Sequence, residues 1–89
     1  MPLQIIGAGP EPEEVAAKIA GSIESEIPDA RVKVTPTSPG HFEISVVSQI
    51  FEGKSRVQQQ QAVYKAVAHL MNGKNPPVHA VDRMTCTTP

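Results

Sequence analysis

The hydrophobic period of this chain changes from four to two at a single proline, and that change limits its fold more than any other feature. Val15, Ile19, Ile23 and Ile27 recur every fourth residue, with Glu14, Lys18, Ser22 and Glu26 on the other side, the pattern of an amphipathic helix. Pro12 suits the first turn, where its missing N–H would have had no partner, and Glu11, Glu13 and Glu14 complement the positive end of the helix dipole. Pro28 stops the helix. Beyond it, Arg31 to Thr35 and His41 to Val46 alternate polar and apolar residues and are rich in β-branched side chains, so both read as strands. Their phase puts Val32, Val34, Phe42, Ile44 and Val46 on one face. The intervening Pro36-Thr37-Ser38-Pro39-Gly40 reads as the loop of an antiparallel hairpin.

The second half repeats the helix pattern and then returns to strand. Glu52-Gly53-Lys54 is a turn, and Ser55, three residues before Gln58, forms the signature of a reciprocal capping box. The helix that follows carries a stripe of Val57, Tyr64, Val67, Ala68 and Met71, widened by Val63 and Leu70, and Asn72-Gly73 can close it. The run Gln58 to Gln61 is short, and glutamine is a reasonable helix former, so it reads as an ordinary helical face. Pro76-Pro77 forces an extended path into Val78 to Cys86, a third strand whose alternation is interrupted at Asp82. Strand, helix and strand in that order make a crossover, which brings the third strand parallel to the second. The fold class is α+β, in the order α-β-β-α-β, with both helices on one face of a small three-stranded mixed sheet.

Composition narrows the function classes. With 89 residues, 39% of them hydrophobic and 3% aromatic, the chain supports one small domain. Residues 1–12 are expected to be a flexible N-terminal tail and 13–89 the folded unit. No stretch approaches the roughly 20 apolar residues that span a bilayer, and Met1 to Gly9 lacks the basic start and apolar centre of a secretory signal. A soluble, cytoplasmic protein without membrane contact is expected. The formal charge of -1 creates no global attraction for nucleic acid or acidic lipid. A lone cysteine, Cys86, excludes an internal disulfide and a Cys-rich metal site. Gly7-Ala8-Gly9 is no dinucleotide loop, since no long strand leads into it and no third glycine follows. There is no Ser/His/Asp set, no His-Glu-x-x-His, no phosphate loop and no pair of acids in an evident cleft, so the chain is expected not to be an enzyme.

Four blocks then stand out in order: His41-Phe42 leading to Val47-Ser48; Phe51-Glu52-Gly53-Lys54-Ser55-Arg56-Val57; Gln60-Gln61-Ala62-Val63-Tyr64; and Val78-His79-Ala80-Val81. Together they closely resemble the signature of the BolA-like family over residues 13–88. Ser-Arg-Val followed by Gln-Gln-x-Val-Tyr resembles the acid-stress branch, often called YrbA or IbaG, more than BolA proper. The latter usually carries Arg-His-Arg where Gln59, Gln60 and Gln61 stand here. The resemblance implies a class II KH-like fold, α-β-β-α-α-β. It also implies a non-catalytic partner of a monothiol glutaredoxin, with which a [2Fe-2S] cluster is shared together with glutathione, in iron or stress regulation. Self-association into a homodimer is left open.

On that resemblance His79 is the cluster ligand. The hairpin loop, where many members carry a second Cys or His ligand, contains neither; Ser38 stands near that place, and a neutral hydroxyl is a poor iron ligand. His41, three residues further on, can substitute, because imidazole binds iron well. Cys86, seven residues after His79, falls on the opposite face of a regular strand and reads as a small half-buried residue, and His69 reads as structural. The alternative is a KH-like DNA-binding transcriptional regulator of stress or morphology genes, with Lys54, Arg56 and Lys65, and Lys33 beside them, as a basic strip. Against it, KH domains hold phosphates with Gly-x-x-Gly. The turn here has no second glycine and carries Glu52.

Overall fold

The computed structural model describes residues 11–89. The tail expected over residues 1–12 and the Gly7-Ala8-Gly9 segment lie outside the described residues, apart from Glu11 and Pro12. Helix α1 spans Pro12–Glu26, with Pro12 in its first turn and Glu13 and Glu14 following. Val15, Ile19 and Ile23 are buried along its length, and Ile27 is buried at its C-cap. The every-fourth-residue stripe is therefore the face that enters the core.

Strands β1 (Arg31–Ser38) and β2 (His41–Val47) pair antiparallel, and β3 (Ala80–Thr87) pairs parallel to β2, giving the sheet order β1-β2-β3. The crossover expectation is met. Val32 lies opposite Val46 and Val34 opposite Ile44, on the face that both helices cover. The hairpin loop is shorter than the sequence suggests. Pro36, Thr37 and Ser38 belong to β1, and only Pro39-Gly40 turns the chain. A proline is tolerated there because β1 is an edge strand, whose outer N–H groups have no ladder partner to lose.

Between β2 and β3 run a short 3₁₀ turn, Gln49–Phe51, and then helix α2, Arg56–Val67, which tightens into a second 3₁₀ turn over Ala68–Leu70. The capping box is present as read. Ser55 Oγ accepts from the Gln58 N–H at 3.1 Å, and Gln58 Oε1 accepts from the Ser55 N–H at 3.0 Å. Gln59 has a role that helix propensity alone does not suggest. Its side-chain amide donates to the Phe51 and Lys54 carbonyls and so fastens the turn to the helix it precedes.

The expected stripe on α2 is only partly the buried one. Val63, Ala66, Val67 and Leu70 enter the core, whereas Val57 is 61% exposed and Tyr64 39%. At 3.6 residues per turn Val57 and Tyr64 sit about a third of a turn away from the buried group. Contact with α1 and β3 selects the other side.

One polar pair in this frame is buried on one side. Ser48 is fully buried; its hydroxyl donates to Asp29 Oδ1 at 2.6 Å and accepts from the Ile50 N–H, while Asp29 Oδ2 accepts from the Gln49 N–H. The Ser48 hydroxyl first, and the Gln49 N–H second, hold the Asp29 carboxyl below its ordinary value of 3.8. A carboxylate with a lowered folded-state pKa stabilises the protein fully above its unfolded value, and that contribution is lost as pH falls through the folded value. The melting temperature of wild type is thus expected to fall more steeply than that of Asp29→Asn below about pH 4. A pH series of thermal melts checks this, and parallel curves would contradict it.

Candidate metal-ligand corner at the head of the sheet

His79 is positioned by its backbone neighbours. Val78 is 1% exposed and its N–H donates to the Leu70 carbonyl, which anchors the chain in the core one residue before His79. The Gly40 carbonyl then accepts both the His79 N–H at 2.7 Å and the Ala80 N–H at 3.1 Å. The His79 side chain is exposed and packs over Gly40. Gly40 has φ 79°, a left-handed conformation that disfavours a Cβ, and a Cβ there would lie 2.5 Å from His79 Nδ1. The glycine serves the turn and the ring at once. A groove of about 410 Å³ opens beside it, lined by Val15, Pro39, Phe42, Pro76, Pro77 and His79 among others.

His41, the first residue of β2, meets His79 edge-on, with ring centroids 6.5 Å apart and planes at 81°. Both histidines expected from the sequence therefore stand at one corner. A third group joins them. His41 Nδ1 is 2.9 Å from Asp82 Oδ1, and the Thr37 hydroxyl donates to Asp82 Oδ2 at 2.8 Å. The side chains of His41 and Asp82 are 40% and 41% exposed, so the pair is solvated. Hydrogen bonds from His41 first, and then from Thr37, hold the Asp82 carboxyl below its ordinary value.

Two irregularities of register build this link across three strands. In the β1–β2 ladder Pro36 pairs with Phe42 and Ser38 with His41, which leaves Thr37 as an extra residue. In the β2–β3 ladder Phe42 pairs with Val81 and Glu43 with Arg83, which leaves Asp82 extra. Such bulges re-aim the side chain they insert. The bulge also explains the broken alternation of β3. Val81, Met84 and Cys86 pack against the core, a phase that an unbroken strand could not keep. It removes the simple parity argument for Cys86 as well. That residue lies opposite Val46 at the far end of β3 from His79, half-buried, with its thiol pKa raised by burial.

Asp82 and Thr37 are the residues that sequence reasoning missed; the interrupted alternation at Asp82 was the available signal. Among the described residues no group of three His, Cys, Asp or Glu could hold a metal ion. His69 bonds Ser22 at 3.2 Å, linking the end of the second helical segment to α1. Lys65 and Lys33 do not extend the basic turn into one strip. Arg56 and Lys65 are nine residues apart on α2, two and a half turns, and so project from opposite sides. Lys54 is in the preceding turn, and Lys33 belongs to β1, across the sheet from the strand that α2 contacts most.

The comparisons agree with this architecture. The BolA family description, "BolA-like protein", matches residues 19–89. BolA-like protein 1 of Homo sapiens is 33% identical over 78 residues, covering 82% of this chain and 55% of the relative. This chain thus spans little more than half the length of the curated relatives it matches. The crystal structure of a bol-like protein from Babesia bovis superimposes with a TM-score of 0.70 at 34% identity, over 83% of this chain and 84% of that one. The solution structure of BolA1 from Mus musculus gives a TM-score of 0.74 at 26% identity, over 100% of this chain and 77% of that one. The YrbA or IbaG branch is not distinguished by these matches. The helix, hairpin, helix and parallel strand, the matched span and the identities all lead to one conclusion: this chain belongs to the BolA-like family.

Proposed function

We propose that this chain is a cytoplasmic, non-enzymatic adaptor that docks a monothiol glutaredoxin and shares a [2Fe-2S] cluster with it, in cluster transfer or in iron and stress regulation. The observation that supports this reading is a pair of imidazoles at one exposed corner, His79 and His41, with too few further ligands beside them among the described residues to hold a metal by themselves. A site of that kind suits a cargo whose other ligands come from another polypeptide. Imidazole is an accepted replacement for thiolate on one iron of a [2Fe-2S] cluster. The partner's cysteine and a glutathione thiol would supply the remaining bonds.

What this chain contributes is placement. The Gly40 carbonyl fixes the backbone at 79 and 80, Val78 locks it to the core, and the ring is left facing solvent over a residue with no side chain. Little reordering is then needed when a partner arrives, which lowers the cost of binding. Asp82 holds His41 through Nδ1, and Nε2 has no hydrogen-bond partner among the described residues.

Reconstitution of a cluster with a monothiol glutaredoxin tests the reading. Wild type is expected to give a mixed-complex visible circular dichroism spectrum distinct from that of the glutaredoxin alone, His79→Ala is expected to lose it, and Arg56→Ala to keep it. A mixed spectrum that never forms with wild type, or that survives unaltered in His79→Ala, would overturn the assignment.

A further inference from the structure

We infer that Asp82, steadied by Thr37, is a positioning residue that sets the tautomer of His41 and so makes Nε2 the atom His41 presents to a metal. The inference deepens the cluster-handling reading and rests on it for its purpose, but the tautomer itself is a property of the isolated chain.

At neutral pH an aspartate is ionised and can only accept hydrogen bonds. Asp82 takes one bond on each oxygen, from the Thr37 hydroxyl on Oδ2 and from His41 Nδ1 on Oδ1. For the second bond to exist, Nδ1 must carry the proton. The neutral ring is then the Nδ1–H form, and its lone pair lies on Nε2. Histidines that bind metals are held in this way, with the far nitrogen donating to a carboxylate that fixes both tautomer and ring orientation. The two strand irregularities make the arrangement. Thr37 is the extra residue of β1 and Asp82 the extra residue of β3, inserted against neighbouring positions of β2, and the two bonds join them across it. Without the insertion at Asp82, no carboxylate of β3 would take this place in the register. Of the two imidazoles, His41 is the one given an acceptor among the described residues. Its Nε2 becomes a second donor beside His79, in a chain whose hairpin loop supplies none.

The test has two arms. In the first, long-range ¹H–¹⁵N correlation spectra of the isolated chain are recorded near pH 8 for wild type, Asp82→Ala and Asp82→Asn. Wild type is expected to show His41 protonated at Nδ1, Asp82→Ala to move it to the Nε2–H form, and Asp82→Asn, whose amide oxygen can still accept, to fall between them. A wild-type His41 protonated at Nε2, or a tautomer unchanged in Asp82→Ala, overturns the inference. In the second arm the same variants are loaded with a cluster alongside the glutaredoxin. Retention is expected to weaken by about 10-fold to 100-fold in Asp82→Ala, as for other outer partners of metal ligands, with Asp82→Asn recovering part of the loss. Retention equal to wild type, despite a changed tautomer, overturns the positioning role. If wild type forms no mixed complex while the tautomer shifts as expected, the cluster-handling reading fails and the hold of Asp82 on His41 stands.

Discussion

Gly40→Ala is expected to dislodge the His79 ring, and with it the edge contact to His41, while leaving the sheet folded. A Cβ at position 40 would lie 2.5 Å from His79 Nδ1 and 2.6 Å from its Cγ, closer than any tolerable contact, so the ring must rotate away. The backbone carries its own cost, because an L-residue at φ 79° loses about 1–2 kcal/mol in the left-handed region. Gly53→Ala separates the two effects. Gly53 has φ 77° and nothing within 4 Å of where its Cβ would be, so it should show the backbone cost alone. NMR spectra of the two variants check this: large shifts at both His41 and His79 ring resonances in Gly40→Ala, and none at either ring in Gly53→Ala. Unmoved histidine resonances in Gly40→Ala would mean that the ring does not rest on the glycine. If His79 is the metal ligand, Gly40→Ala should also lose the mixed-cluster spectrum with the imidazole still in the sequence.

The largest loss of stability is expected from Phe42→Ala. Phe42 is 1% exposed in the central strand, one residue from His41, paired with Pro36 on one side and Val81 on the other. Only two phenylalanines occur in the chain and there is no tryptophan, so the core has few large side chains with which to refill the space. Removing such a ring costs about 3–5 kcal/mol, against a total of about 5–15 kcal/mol for a domain of ordinary stability. Urea denaturation should show a midpoint far below that of wild type, with much of the chain unfolded under mild conditions. A loss under about 1 kcal/mol would mean that the site collapses around the missing ring, contrary to the packing described.

How far the fold could be read in advance depended on whether each segment carried one pattern or two. Helix α1 has a single apolar stripe of Val15, Ile19 and Ile23, continued by Ile27 at its C-cap, and nothing competes with it. Strand β2 alternates strictly, so Phe42, Ile44 and Val46 could face only one way. Helix α2 is different. Its apolar residues spread over more than half its circumference, and the choice of Val63, Ala66 and Val67 over Val57 and Tyr64 is made by α1 and β3, which no local pattern contains. Pro36 misled for a related reason. A proline reads as a loop residue until the strand that holds it is known to be an edge.

The candidate site was legible in its histidines and not in what holds them. His79 was reached through the Val-His-Ala-Val block, and His41 through its closeness to the hairpin. The link between them depends on two inserted residues, Thr37 and Asp82, that meet only because their strands flank β2. An interrupted alternation reveals that something is inserted and says nothing of what the inserted side chain will touch.

The most direct test of the central claim, that the His79 imidazole binds iron in a shared cluster, is nitrogen hyperfine coupling. The chain would be grown with ¹⁵N-histidine, assembled into a mixed [2Fe-2S] complex with unlabelled monothiol glutaredoxin, reduced by one electron and studied by pulsed electron paramagnetic resonance. A strong ¹⁵N coupling that is weakened or lost in His79→Ala is the predicted result; no ¹⁵N coupling, or one that persists unchanged in the variant, would contradict it.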